Sequence, residues 1–275
     1  MLRRLFVITA AACLWAAPSA LADSTSSGNW AGYAAHRAGV HFRSISAQWR
    51  VPIGVCSSGA TAYSSIWVGL GGYSRNSNAL EQTGTELDCT RSGQAVYSAW
   101  YELVPAAARV LPVKIHGGDL IRAAVTVAGH RVTIVLQDLS DRQGFRQILS
   151  APQVDTTSAD WILEAPSGCD GNGNCFTLPL ADFGNATISS ARAVTQSGHR
   201  GAVTSRWWGT TEITLAPHAT RFFAGSGDSA GAEATPSSLS ARASAFRVAY
   251  HASSSTGGQT GPPFFSGRAH LVHGV

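Results

Sequence analysis

The sequence has almost no lysine and little charge of either sign. Lys114 is the only lysine, charged residues make up 13% of the 275 residues, and the formal net charge is +4. The arginines are scattered, without a basic run or an interleaved aromatic repeat, so the sequence does not predict nucleic-acid binding. Helix formers are also few, whereas glycine reaches 29 residues, and this composition favours an all-β protein.

Long hydrophobic runs are absent beyond the N-terminal segment. Arg3-Arg4 precede an apolar run over residues 5–17, and Ala20-Leu21-Ala22 supplies the small-x-small pattern of a cleavage site. This layout is typical of a secretory signal peptide over residues 1–22. We therefore expect cleavage after Ala22 and a mature protein that is secreted, extracellular and without a membrane span.

Four cysteines follow the predicted signal peptide: Cys56, Cys89, Cys169 and Cys175. An even number of cysteines in an exported chain favours two disulfides, for which three pairings exist. Cys169 and Cys175 bracket the turn-forming sequence "DGNGN", so we predict a local Cys169–Cys175 bridge and a second bridge between Cys56 and Cys89. Neither spacing resembles a paired zinc knuckle, and the histidines show no ligand spacing, so we expect no metal and no cofactor.

Apolar and polar residues alternate with a period of two in many segments. The sequence "LIRAAVTVAGHRVTIVLQDLS" predicts a hairpin that turns at Ala128-Gly129-His130. The other alternating segments are "SISAQWRVP", "AVYSAWYELVP", "ADWILEAP", "RWWGTTEITL" and "SAFRVAYH". Since no amphipathic helix of useful length accompanies them, the pattern predicts a two-sheet sandwich or a barrel.

The chain is predicted to form one domain over residues 23–251, without internal repeats. Residues Ala224–Ser240 are rich in Gly, Ser and Ala and predict a loop. Residues 252–275 have the composition of a flexible tail.

Two glutamates are candidates for acid–base chemistry. Glu102 and Glu164 each lie on a predicted strand flanked by tryptophan or other large apolar residues. A carboxylate in such surroundings suits a general base or acid. The alternative is a sheet-face carboxylate that pairs with an arginine.

A serine-nucleophile pattern competes with these carboxylates. "GDSAG" at Gly227–Gly231 contains Ser229 in a Gly-x-Ser-x-Gly arrangement, and His36 with Asp138 would complete a triad. The elbow that presents such a serine needs a following helix, and "AEATPSS" does not predict one. A serine peptidase therefore stays a lesser alternative.

Several motifs together resemble the glutamic peptidases, known as eqolisins or peptidase family G1, and especially their bacterial branch. The motifs occur in the order "SSGNWAGY", "WRVP", "SIWVGLGG", "SNALEQTGTELDC", "YSAWYELVP", "SADWILEAPSGC", "LPLADFG" and "SAFRVAY", and they cover nearly the whole predicted domain. Each motif alone is weak, whereas their order and combination are specific.

The resemblance implies a catalytic dyad of one glutamine and one glutamate. The family's glutamine falls on Gln82 in "LEQTG", and its glutamate falls on Glu164 at the end of "ADWILE". Glu102 matches a carboxylate near the family's cleft, Trp67 matches a cleft-lining tryptophan, and Trp100 is a further candidate for substrate binding. The implied fold is a concanavalin A-like sandwich of two curved antiparallel sheets with the dyad on the concave face.

The implied activity is that of an acid endopeptidase on polypeptide substrates, which we expect to be a monomer. The sequence departs from the family's fungal members at Gly71 or Gly72, where they carry an aspartate, and at Ser98, where they carry another acid. Two alternatives stay open. The pair Glu102 and Glu164 resembles the two carboxylates of a glycoside hydrolase, and the exposed aromatic residues of a carbohydrate-binding, lectin-like module are a non-enzymatic alternative.

Overall fold

The structure is a computed structural model that describes residues 23–169, 175–217, 219, 233–240, 242–252 and 270–272. This described part contains nineteen strands and no helix, which confirms the predicted all-β class. The strands are β1 (Asp23–Ser27), β2 (Trp30–His36), β3 (Phe42–Arg50), β4 (Ala62–Gly71), β5 (Leu80–Cys89), β6 (Ala95–Leu103), β7 (Arg109–Val110), β8 (Leu120–Ala128), β9 (Arg131–Asp138), β10 (Gln143–Ser150), β11 (Ser158–Glu164), β12 (Ser167–Cys169), β13 (Cys175–Thr177), β14 (Asn185–Thr195), β15 (Arg200–Ala202), β16 (Gly209–Leu215), β17 (Glu233–Pro236), β18 (Phe246–His251) and β19 (His270–Val272).

The predicted hairpin forms strands β8 and β9. Ala128 pairs with Arg131, so the turn consists of Gly129 and His130. Gly129 has a φ of 59°, a left-handed conformation that glycine adopts without the steric cost of a Cβ atom. The alternating side chains of both strands place Val125 and Ile134 in the core, as the period of two predicts.

Hydrogen bonds connect the strands of the large sheet in the order β10-β9-β8-β3-β14-β18-β17-β16-β2-β11-β4-β5-β6-β7. This path folds back on itself, because β3 and β8 pack against β4, and β14 packs against β11. The result is the predicted sandwich of two layers. Pairing is antiparallel along the path, and β1, which lies off the path, pairs in parallel with β16.

The layer that contains β2, β11, β4, β5 and β6 has apolar side chains on both faces. One face packs into the space between the two layers, where Val68 and Trp161 meet Trp49 and Ile121 from the other layer. The opposite face carries a second apolar group, which we call the site-face cluster: Trp30, Ala34, Trp67, Leu80, Trp100, Val104, Ile162 and Ile213. Burial on both faces makes this layer the rigid platform on which polar side chains are held.

The Cys56–Cys89 disulfide is present, as predicted, and closes a sequence separation of 33 residues. The other predicted bridge involves Cys169 and Cys175, which face each other in the antiparallel register of β12 and β13. Directly opposed residues of an antiparallel pair have a Cα separation that a disulfide can span. Their side chains lie outside the described residues, so this bridge stays a prediction.

The predicted loop and the predicted tail each contain a strand. Glu233–Pro236, within the predicted loop, is strand β17 and pairs with both β16 and β18. His270–Val272, within the predicted tail, is strand β19 and pairs with β12. The predicted signal peptide and the rest of the predicted tail lie outside the described residues, and the described part contains no helix long and apolar enough to cross a membrane.

Candidate active site

The strand register aligns polar and small residues in one row across the site face. The row contains Ala34 on β2, Asp160 on β11, Gly69 on β4, Gln82 on β5 and Glu102 on β6. Because side chains two residues apart point to the same face, Glu164 also lies on this face, two positions beyond Ile162. The fold therefore presents both predicted dyad residues and Glu102 on one surface.

Gln82 and Glu102 form a hydrogen-bonded pair. The Gln82 Nε2 atom donates to Glu102 Oε2 at 2.8 Å, and both side chains are almost completely buried, with exposures of 0% and 1%. This bond places the NH2 group of the amide toward Glu102, because the amide nitrogen is a donor and a carboxylate oxygen is an acceptor. The amide oxygen Oε1 is consequently directed away from Glu102.

Glu164 is held by an indole. The Trp67 Nε1 atom donates to Glu164 Oε2 at 2.7 Å, and both side chains have 0% exposure. The Trp67 ring also makes an edge contact with Trp30 at a centroid separation of 4.8 Å. The ring therefore has little freedom, and it fixes the orientation of the carboxylate.

Trp100 is the next tryptophan on the site face. Its Nε1 atom donates to Ser65 Oγ at 3.2 Å, and its carbonyl accepts a bond from Thr83 Oγ1 at 2.7 Å. The Ser65 hydroxyl in turn donates to the Thr85 carbonyl at 3.2 Å. The sequence analysis did not single out Ser65, which stands directly opposite Glu164 in the register.

Glycines make room for the large rings on this face. Gly84 stands between Trp67 and Trp100 in the next row of the register, and a Cβ atom there would lie 2.2 Å from the Ile66 carbonyl oxygen and 2.6 Å from Trp67 Cβ. Any larger residue at position 84 would displace the tryptophan that holds Glu164. The glycine of "LEQTG" is thus explained by close packing of β4 against β5.

Asp160 is a buried acid that the sequence analysis did not select. It lies in the same row as Gln82, with Gly69 between them, and Ser158 Oγ donates to its Oδ2 atom at 2.8 Å. Burial raises the pKa of Asp160 well above its ordinary range, which favours the neutral form of this carboxyl. The alternation of "ADWILE" places Asp160 on the same face as Glu164 and could have identified it.

Two acidic residues, Asp155 and Glu81, lie near Gly71, one of the two positions where the family's fungal members are expected to carry an aspartate. A Cβ atom on Gly71 would lie 2.5 Å from Asp155 Cβ, so Asp155 fills the space beside that glycine. The Asp155 carboxylate accepts bonds from the Gly72 N–H at 3.3 Å and from the Ser77 hydroxyl. Burial, followed by the charge of Asp155, raises the pKa of Glu81 to about 9.

The serine triad does not assemble among the described residues. His36 Nε2 bonds Thr211 Oγ1 at 2.8 Å, whereas Asp138 Oδ1 accepts from the backbone of Ser140 at 2.8 Å and of Asp141 at 3.3 Å. His36 and Asp138 therefore serve different parts of the fold. Ser229 lies outside the described residues.

One group with possible metal ligands occurs in the described part of the chain, away from the site face. His116, Asp119 and Asp141 place their ligand atoms within 4.8 Å of one another next to strands β8 and β9. His116 Nδ1 lies 3.3 Å from Asp119 Oδ2, so the contacts are also those of a surface ion pair. The sequence analysis did not select these residues.

The fold is similar to those of solved glutamic-peptidase structures. The scytalido-glutamic peptidase, solved with a transition state analog inhibitor, is 22% identical with a TM-score of 0.65 over 82% of this chain and 98% of the other. SCP-B, an eqolisin solved with the tripeptide Ala-Ile-His, is 22% identical with a TM-score of 0.64 over the same shares of 82% and 98%. Aspergilloglutamic peptidase from Aspergillus niger is 24% identical with a TM-score of 0.54 over 69% of this chain and 99% of the other.

These similarities support the shared fold. No curated protein sequence matches the chain. The sequence profile described as the Peptidase A4 family matches residues 28–216, which is more than half of the chain and contains both predicted dyad residues. The chain therefore belongs to the Peptidase A4 family and is a glutamic peptidase.

Proposed function

We propose that this protein is an exported endopeptidase that acts at acid pH through a dyad of Gln82 and Glu164. The observation that carries the proposal is the arrangement of two buried hydrogen-bonded pairs, Gln82–Glu102 and Trp67–Glu164, on one face of a peptidase-family fold. Gln82 on β5 and Glu164 on β11 lie on opposite sides of strand β4, at different positions along it. Polar groups held in a water-poor environment interact strongly with charge that develops in a transition state.

Glu164 is assigned the proton transfers. Peptide hydrolysis requires a base that activates water and an acid that protonates the leaving nitrogen. A single carboxylate can perform both steps, because the proton that it takes from water is the proton that the amine needs. The Trp67 bond occupies Glu164 Oε2 and directs the carboxylate for this transfer.

Gln82 is assigned the polarisation of water and the stabilisation of the oxyanion. An amide NH2 group has two hydrogens, of which one bonds Glu102, and the proposal assigns the second to the oxyanion. The amide oxygen, directed away from Glu102, is assigned to the attacking water. Because an amide stays neutral at acid pH, these roles do not require ionisation of Gln82.

The substrate is proposed to be an unfolded polypeptide that lies against Trp67 and Trp100. The Cys56–Cys89 disulfide fits an oxidising, extracellular location, and we propose that the protein acts there as a monomer.

The glycosidase alternative would use Glu102 and Glu164 as its two carboxylates. It leaves unexplained why Glu102 accepts a buried hydrogen bond from the amide of Gln82. That chemistry also gives Gln82 no role.

The first prediction tests the dyad by substitution. Gln82→Ala and Glu164→Gln should each lower kcat on denatured protein at acid pH by at least about a hundredfold, the loss seen when one oxyanion donor is removed. The double variant should be scarcely worse than either single variant, because groups that act as a unit show non-additive losses. Initial rates and thermal unfolding of each variant measure activity and folding separately.

Ser229→Ala is the matched control and should retain wild-type activity. A serine-directed reagent and a chelator should leave the rate unchanged. Substantial activity in Gln82→Ala, combined with loss of activity in Ser229→Ala, would transfer the assignment to the serine alternative. Hydrolysis of a polysaccharide panel without proteolysis would favour the glycosidase.

A further inference from the structure

A cavity of about 320 Å³ lies at one end of the site face. The turn between β2 and β3 forms one wall with Arg37 and His41, and Tyr73 and Thr157 line the cavity from neighbouring segments. His36, the last residue of β2, also lines it. None of these residues has a role in the proposed dyad chemistry.

The cavity adjoins the proposed substrate surface. His36 follows Ala34 by two residues on β2, so it occupies the next position on the site face beyond the row that contains Gln82. The His36 ring stacks on Tyr73 with a centroid separation of 4.4 Å, and Tyr73 packs against the site-face cluster. A chain that crosses the site face from Gln82 toward β2 therefore arrives at this cavity.

The cavity has a positive lining. Arg37 is exposed, and its guanidinium has no carboxylate partner in the described part of the chain. His41 Nδ1 bonds Thr156 Oγ1 at 3.2 Å, and His36 Nε2 bonds Thr211 Oγ1, so these bonds hold both imidazoles in the lining.

The acidic groups nearby are engaged elsewhere. Asp155 receives bonds from Gly72, Ser77 and Thr157, and so its oxygens face the neighbouring loop. Asp160 is fully buried and bonded to Ser158. Arg37 is the arginine of the cavity lining, and its guanidinium is available to a carboxylate of a ligand.

We propose that this cavity is a subsite for a carboxylate of the polypeptide substrate, supplied either by an Asp or Glu side chain or by the C-terminus. The proposal rests on the proposed peptidase function and adds a preference to it. Three strand spacings separate β5 from β2, so the subsite lies about 14 Å from Gln82. An extended peptide covers that distance in about four residues, at about 3.3 Å per residue.

The test compares peptides that differ at one position. A parent peptide of neutral residues receives Glu or Gln in turn at each position up to five residues on either side of the scissile bond. A second pair carries a free or an amidated C-terminus at the same distance. Assays at about pH 5 keep the Glu of the peptide largely ionised, because the ordinary pKa of Glu is about 4.3.

We expect kcat/KM to be about two- to fivefold higher for the acidic peptide at one position, about four residues from the cut. Arg37→Gln should remove this preference, so that the acidic and neutral peptides of that pair are cleaved with equal kcat/KM. The matched control is Arg122→Gln, an exposed arginine on β8, which should keep the preference. Equal rates for Glu and Gln peptides, or a preference that survives Arg37→Gln, would overturn the subsite.

A binding measurement separates this inference from the proposed function. Calorimetry with the Glu164→Gln variant compares the acidic and neutral peptides without turnover. Tighter binding of the acidic peptide, abolished by adding Arg37→Gln, would support the subsite even if Glu164 proved not to be catalytic. Equal binding of both peptides, with normal cleavage by the wild type, would remove the subsite and leave the dyad intact.

Discussion

At the residue scale, the chemistry depends on the orientation of a single amide. A glutamine side chain has similar dimensions in its two flipped forms, and only its partners determine which end faces the reacting water. Glu102 supplies that partner through the bond from Gln82 Nε2. Glu102 is therefore a positioning residue, whose effect on the reaction passes through Gln82.

The second prediction concerns Glu102→Gln. The new amide can accept from or donate to Gln82, so the wrong orientation of Gln82 becomes populated, and kcat should fall about 10- to 100-fold with little change in KM. Glu102→Asp should recover part of the rate, because it restores an acceptor-only carboxylate. Single-turnover rates on one peptide substrate measure the effect.

Glu86→Gln is the control for Glu102→Gln, since Glu86 is also a buried glutamate and lies on the face of β5 that carries Gln82. Its rate should stay within about threefold of the wild type. Equal losses in Glu86→Gln and Glu102→Gln would show a general effect of buried charge and contradict the positioning role.

At the scale of strands, the alternation of side chains predicted which residues share a face. "ADWILEAP" assigned Trp161 to one face and Glu164 to the other, and "AVYSAWYELVP" placed Trp100 beside Glu102, as the structure shows. Sequence patterns of this kind have a period of two and therefore report the face directly. They do not report which strands become neighbours.

The features that the sequence did not predict depend on such non-local neighbours. Glu233–Pro236 lies in a Gly- and Ser-rich segment and becomes a strand because β16 and β18 provide hydrogen-bonding partners on both sides. Asp155 reaches the space beside Gly71 from a segment more than 80 residues away along the chain, a contact that no local pattern encodes.

The third prediction compares the two disulfides. Cys56–Cys89 closes a separation of 33 residues, whereas the predicted Cys169–Cys175 bridge closes 175 − 169 = 6. The entropy of loop closure gives a loss of about 4 kcal/mol for Cys56→Ser/Cys89→Ser and about 2 kcal/mol for Cys169→Ser/Cys175→Ser. Urea unfolding of both double variants measures these losses.

Mass mapping of the unreduced protein comes first and should find both bridges. A crossed pairing would contradict the local turn argument at Cys169 and Cys175. A larger loss for the short ring than for the long one would show that native contacts around it, rather than loop closure, determine its contribution.

At the scale of the whole molecule, buried acids couple stability to pH. Glu81 and Asp160 are both buried with 0% exposure, and burial raises the pKa of each. The folded state is therefore suited to the acid range that the proposed activity requires.

The last prediction follows from the pKa of Glu81, which rises from 4.5 to about 9 in the folded protein. Below pH 4.5 the carboxyl is protonated in both states, and between those two values unfolding releases its proton. The unfolded state then binds fewer protons, so the free energy of unfolding falls as pH rises, by up to about 1.4 kcal/mol per pH unit. Glu81→Gln should flatten this dependence and raise stability at pH 7 relative to pH 5 by about 1–3 kcal/mol. Urea unfolding from pH 4 to 8 measures the slope, and Glu233→Gln, a partly exposed glutamate on β17, should leave it unchanged. If Glu81→Gln shows the same dependence of the free energy of unfolding on pH as the wild type, a group other than Glu81 is responsible for that dependence.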